Sequence, residues 1–185
     1  MPGQHQQDKL AIISELVKRA PRRLGRTALM KCLYFLKVLR GVPLPYSFRL
    51  YTHGPFDSDV LDDLQYAQAL GAVESSIVTY PGGAGYVLHV GPQAEQIGNQ
   101  AIDFINQYRD SLDWVLAEFG NRSALDLEMA STLIFVDRSL AEKGSRVSIS
   151  GLTKKVHDIK PHLTTEAIER EATSLKERGF LKAAA

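Results

Sequence analysis

The segment Tyr51-Thr52-His53-Gly54-Pro55-Phe56 holds the side chains best suited to chemistry. A phenol and an imidazole two residues apart can line a binding groove and exchange hydrogen bonds with a ligand. The same residues also make a structural device. Gly54-Pro55 sets a tight turn ahead of a helix, Pro55 sits where a missing N–H is harmless, and Phe56 supplies an apolar anchor. The structural reading is the stronger of the two. Asp57, Asp59, Asp62 and Asp63 follow directly. Together with His53 they would suit a hydrolase only if folding gathered them into one pocket, and nothing pairs with the aspartates at metal-ligand spacing.

Other catalytic signatures are missing. Gly83-Ala84-Gly85 has no helix start behind it and no Lys-Ser/Thr, so it is neither a dinucleotide nor a phosphate-loop fingerprint. His5, His53, His89, His157 and His162 lack the spacing of zinc ligands, and Pro161 separates the closest pair. Cys32 falls in an apolar helix and reads as packing rather than as a nucleophile. No Gly-x-Ser-x-Gly elbow occurs. The sequence therefore assigns no catalytic residue, no metal ligand and no cofactor.

The charged residues point to binding. Lys18, Arg19, Arg22, Arg23 and Arg26 gather around the first inter-helix turn, where they could meet nucleic acid or an acidic partner, or simply complement a helix C-terminus. A weaker basic cluster comprises Lys154, Lys155, His157, Lys160 and His162. The third helix is acidic: Asp57, Asp59, Asp62, Asp63 and Gln65 are expected to point outward, with no Lys or Arg among them. Carboxylates facing phosphates are repelled, so this helix is not expected to lie in a DNA groove. Asp59, Asp62 and Asp63 are instead a candidate acidic face for a basic protein partner.

The elements that must position these groups are legible from periodicity. Leu10, Ile13, Leu16, Val17 and Ala20 recur at helical spacing up to Pro21. A second helix, Thr27 to Leu39, is apolar nearly all round, as a buried central helix would be. A short extended run, Phe48 to Tyr51, leads through His53-Gly54-Pro55 into a third helix with Asp57 as N-cap and Gly71 as terminator. Val73 to Tyr80 and Tyr86 to Val90 read as a β-hairpin with a flexible tip at Pro81 to Gly85. From Gln93 to Phe119 the apolar positions keep helical phase, in one helix or two joined near Asp110. Ser123 and Asp126 form a capping box for a helix reaching Leu140. A helix from Ser150 to Ile159 and another capped by Thr164 or Thr165, separated by Lys160-Pro161-His162, suggest helix-turn-helix geometry. No wing follows before Ala185, so that unit reads as truncated.

The expected fold is thus mainly α with a small β-hairpin. A winged helix-turn-helix-like domain spans residues 1–92, and a helical domain with a C-terminal helix-turn-helix-like unit spans residues 93–185. The 185 residues include 44% apolar and 23% charged residues, the balance of a folded soluble chain. The net charge of +1 divides into +3 over residues 1–92 and −2 over residues 93–185, without the heavy positive excess of a dedicated nucleic-acid domain. One cysteine excludes an internal disulfide and points to the reducing cytoplasm. No targeting segment or membrane span is expected.

Leu29-Met30-Lys31-Cys32-Leu33-Tyr34-Phe35-Leu36 resembles the L-x-K-L-L-Y-F/L helix of an uncharacterised bacterial group. Phe48 to Val60 is similar to that group's F-x-x-Y-x-x-G-P-F/Y-S-x-x-V/L pattern. The group comprises YwgA-type proteins and the related Panacea-domain, SocA-like antitoxins, and the resemblance is best from Leu29 to Val73. Leu127-Glu128-Met129-Ala130-Ser131-Thr132 also resembles the L-E-L-A-S-T helix of YwgA-type members. His53 departs from the residue many of them place before Gly-Pro. The resemblance implies a helical, winged-helix-like fold without known catalytic residues. For the antitoxins it implies neutralising a toxin or presenting a partner to a protease or chaperone.

The expected function is a non-catalytic, protein-interacting regulator of antitoxin or adaptor type. Its expected partner is a toxin, a protease or a chaperone component. The alternative is a DNA-binding transcriptional regulator using the early arginines. A homodimer through the apolar face from Ile97 to Phe119 is a further expectation, with burial of that face inside the chain as the default.

Overall fold

The computed structural model describes residues 3–184. Among them the chain is mostly helical, with eight helices and two small two-stranded antiparallel hairpins. The order is α1 (Gln4–Arg19), α2 (Arg26–Arg40), β1 (Arg49–Tyr51), β2 (Gly54–Phe56), α3 (Ser58–Ala69), β3 (Val73–Tyr80), β4 (Gly83–Val90), α4 (Ala94–Gln100), α5 (Ile102–Phe119), α6 (Ala124–Glu142), α7 (Ile149–Ile159) and α8 (Thr165–Glu177). No described helix is long and apolar enough to cross a membrane.

Packing groups these elements into two compact units. Unit 1 holds residues 1–48 and 57–122, and unit 2 holds residues 49–56 and 123–185. The core of unit 1 is built on two helices whose middles are enclosed on every side: Leu10 to Val17 of α1 and Leu29 to Leu36 of α2 are buried without interruption. The uniform apolar character of α2 dictates this, because any exposed face would leave leucine or phenylalanine in water. Phe35 stacks on Phe119 of α5 with ring centroids 3.9 Å apart. Cys32 lies at the centre of this packing, fully buried.

Asp57 caps α3 as expected, accepting a hydrogen bond from the Asp59 amide. Asp63, expected on the outer face, is instead buried. Its carboxylate accepts from Tyr46 Oη at 3.0 Å and Gln6 Nε2 at 2.8 Å, and pairs with Lys9 Nζ at 2.8 Å. Three donors meeting one carboxylate offset the cost of taking it out of water. Burial, and next the charge of Asp63, raise the pKa of the Tyr46 phenol, which therefore stays a donor.

The hairpin in unit 1 is longer than its sequence pattern suggests. β4 begins at Gly83 rather than Tyr86, and eight residue pairs run in unbroken register from Val73↔Val90 to Tyr80↔Gly83. The loop is only Pro81-Gly82. Gly82 has φ +98, the conformation that the second central residue of such a turn requires. Glycines are weak strand residues, so the run Gly83-Ala84-Gly85 reads as loop. The Tyr80 ring fills the space beside Gly83 and Gly85 and restores the missing packing.

The 93–119 segment breaks at Ala101, not near Asp110. Ala101 leaves helical geometry (φ −128, ψ 36) and divides α4 from α5. Apolar phase persists across the break, so periodicity cannot reveal it. Most of the face from Ile97 to Phe119 is turned inward: Ile97, Ala101, Leu112, Val115 and Phe119 are buried in unit 1, while Phe104 and Tyr108 are half-buried, with ring centroids 4.9 Å apart.

Unit 2 packs α6, α7 and α8 with the β1–β2 hairpin. Ser123 caps α6, Ser148 caps α7 and Thr164 caps α8, each accepting from a backbone N–H three residues on. The buried Asp137 carboxylate receives the backbone N–H groups of Lys182, Ala183 and Ala184 at 2.6, 2.9 and 2.9 Å. That clasp holds the segment after α8, where Val147 and Ala184 form an isolated parallel bridge.

Candidate functional site in unit 2

β1 and β2 pair antiparallel, Arg49↔Phe56 to Tyr51↔Gly54, around a turn at Thr52-His53. β2 was not evident in the sequence, since Gly-Pro-Phe carries no strand pattern. Gly54 has φ +89, and a Cβ there would stand 3.0 Å from both Ser131 Oγ and Thr132 Oγ1 of α6. Only glycine lets the hairpin lie this close to the helix. Glu128, Ser131 and Thr132, spaced i, i+3 and i+4, share a face of α6, and the hairpin covers it.

An open pocket of about 650 Å³ lies here, lined by the hairpin residues Leu50, Tyr51, Thr52 and His53 and by α6 and the α7–α8 connection. Lys160, at the end of α7, reaches its floor and is buried. Its ammonium donates to the carbonyls of Tyr51 (2.9 Å) and Thr52 and stands 3.2 Å from Glu128 Oε1. Two of the ammonium's N–H bonds are used on these carbonyls, and its contact with Glu128 is an ion pair without a hydrogen bond, which leaves the buried Oε1 without a hydrogen-bond partner. The turn carbonyls and one buried carboxylate thus account for the lysine, and Lys160 and Glu128 neutralise each other. Two exposed imidazoles flank the carboxylate. His53 Nδ1 is 3.5 Å from Glu128 Oε2, and His162 Nε2 is 3.3 Å from Glu128 Oε1. Around this floor Tyr51, Leu125 and Ile159 present apolar surface to solvent, at 67%, 53% and 43% exposure. Tyr51 also packs its ring against Phe56, with centroids 5.5 Å apart.

Of the turn residues named from sequence, Tyr51 and His53 line the pocket and are exposed, Gly54 and Pro55 are buried, and Phe56 is half-buried. The early cations have varied roles. Arg19 binds Glu15 through Nε (2.7 Å) and Asp113 through Nη1 (2.6 Å), and these partners, Glu15 foremost, raise its pKa. Lys18 pairs with Glu15 at 3.4 Å. Arg22 donates to the Arg122 carbonyl, Arg23 is exposed, and the Arg26 guanidinium lies 3.4 Å above the Tyr86 ring of β4. Asp59 and Asp62 are exposed on α3, unlike Asp63. In the second basic cluster, Lys154 pairs with Asp158 and His157 Nδ1 meets the Leu163 carbonyl.

Sequence reasoning overlooked Glu128 and undervalued Lys160. The available signal was a carboxylate inside a helix segment, Leu127 to Ile134, that is otherwise apolar or small. Among the described residues no group of three or more His, Cys, Asp or Glu side chains could hold a metal ion. No protein-family model matches the chain, and no curated protein is significantly similar to it.

Proposed function

We propose that the chain is a non-catalytic regulatory module that binds another protein, of antitoxin or adaptor type, and that the unit 2 pocket receives a segment of that partner. The observation that carries this reading is the apolar rim of Tyr51, Leu125 and Ile159 around a floor whose charges are already matched. Such a rim gains from dehydration, while a self-neutralised floor has little charge of its own to desolvate. Lys160 holds the turn and Glu128 holds Lys160, which favours a binding platform over an acid–base site. The imidazoles of His53 and His162 offer hydrogen bonds to a partner's backbone or polar side chains. A toxin, a protease or a chaperone component is the expected class of partner.

The resemblance to YwgA-type and Panacea-domain proteins supports the same reading. So does a winged helix-turn-helix-like interpretation of α1, α2, α3 and the β3–β4 hairpin, with α7 and α8 as a second helix-turn-helix-like pair. A cytoplasmic setting belongs to this proposal, given a single cysteine that lies buried.

The test is affinity capture from the native host with the wild-type chain and with L125E/I159E. A specific protein retained by the wild type and lost by the variant supports the proposal. Equal recovery by both, or none by either, argues against it.

The second reading is DNA binding through unit 1. It draws on the exposed Arg22 and Arg23 and on the position of Arg26 against the hairpin. The exposed Asp59 and Asp62, and an α3 with no basic residue, weigh against it. A gel shift at low and moderate salt with R22E/R23E decides it: affinity for duplex DNA that charge reversal abolishes would favour this reading over the first.

A further inference from the structure

The two edges of the β3–β4 hairpin differ. Along β4 the chain covers its own edge: the Leu88 amide donates to the Leu24 carbonyl at 2.8 Å, Gly25 lies against the Tyr86 carbonyl, and Arg26 stacks on the Tyr86 ring. Along β3 no such cover exists among the described residues, since β4 is its one strand partner and no other backbone hydrogen bond reaches Val73 to Tyr80. The open edge has no bulge, proline or lysine, and Glu74 is its one charge. It is rich in strand-forming residues and exposes Ile77 at 67%, Val78 at 40% and Tyr80 at 57%. Proteins normally blunt such an edge with charge, proline or a bulge, because unpaired amides and carbonyls recruit another strand.

We propose that the occupant of this edge is β3 of a second copy, joining two hairpins into one four-stranded antiparallel sheet across a two-fold axis. The strand's own pattern selects this partner. An axis perpendicular to the sheet keeps each face on its own side, so a residue can pair with its own copy at the centre. Centring on Ile77 sets Ile77 against Ile77, Ser76 against Val78, Ser75 against Thr79 and Glu74 against Tyr80. The two carboxylates stand at opposite ends, so no like charges meet. The most exposed aliphatic side chain of the strand gains an apolar partner, and the Ser–Thr pairs can hydrogen-bond across the seam.

The experiment is sedimentation equilibrium across the micromolar range on the full chain, with I77K, I77E and their equimolar mixture. Ile77 is exposed, so each variant is expected to keep the wild-type circular dichroism. The wild type is expected to associate reversibly to a dimer. Each variant alone places like charges together at the axis and is expected to weaken association by about tenfold or more. The mixture, pairing Lys with Glu, is expected to recover the dimer. A wild type that stays monomeric throughout would overturn the proposal and leave the edge to a different chain. A dimer that I77K leaves intact, or variants that stay monomeric when mixed, would overturn it as well.

Discussion

At the scale of single residues, the charges that matter most in this protein are buried ones matched by specific partners. Lys160 is the clearest case, with two turn carbonyls and Glu128 accounting for its ammonium. Replacing it by methionine would leave a buried carboxylate without its cation. K160M is therefore expected to lower stability by about 3–5 kcal/mol in urea denaturation, and K160M/E128Q to recover part of the loss. Cys32 gives a pH-dependent counterpart. Burial pushes its thiol from 9.0 up to about 12. A raised acid pKa means that the stabilisation is complete below the unfolded value and is lost as pH climbs toward the folded one. Between about pH 9 and pH 12 the wild type should therefore lose up to about 1.4 kcal/mol per pH unit from this thiol alone. C32A should show a shallower decline in its denaturation midpoint over that interval. Little of this was legible beforehand. Cys32 could be assigned to the core because its helix is apolar all round. Asp63 could not, since the pattern of α3 gives no sign that Tyr46, Gln6 and Lys9 converge on it from other elements.

At the scale of elements, caps and periodicity read true where the signal is local. Ser123, Thr164 and Asp57 cap the helices expected of them because a side chain three or fewer residues from its amide needs no tertiary help. Elements defined by long-range partners escaped. β2 is a strand because β1 and α6 make it one, and Gly83 to Gly85 joins β4 because Tyr80 covers it. The same holds for the segment after α8, which has no regular structure and is fixed by one carboxylate. D137A should free the amides of Lys182, Ala183 and Ala184, seen as loss of their hydrogen-exchange protection. It should cost about 2–4 kcal/mol overall, since three bonds to a charged acceptor disappear and buried donors are left behind.

At the scale of the whole molecule, unit 2 is completed by eight residues from the middle of the other unit's sequence. The β1–β2 hairpin leaves unit 1 after Phe48 and returns at Asp57, while α6 to α8 follow Arg122. A fragment of residues 123–185 should therefore unfold with a broad, weakly cooperative transition, because the face of Glu128, Ser131 and Thr132 loses its cover. Joining residues 49–56 to that fragment through a flexible linker should sharpen the transition, as followed by circular dichroism on heating. The interleaving also bears on how such a protein could arise or be rebuilt. A crossover after Arg122 would carry all of unit 1 but strip unit 2 of its hairpin, so unit 1 can be lent to another protein by end-to-end exchange, whereas unit 2 can travel only with most of unit 1 between its two parts.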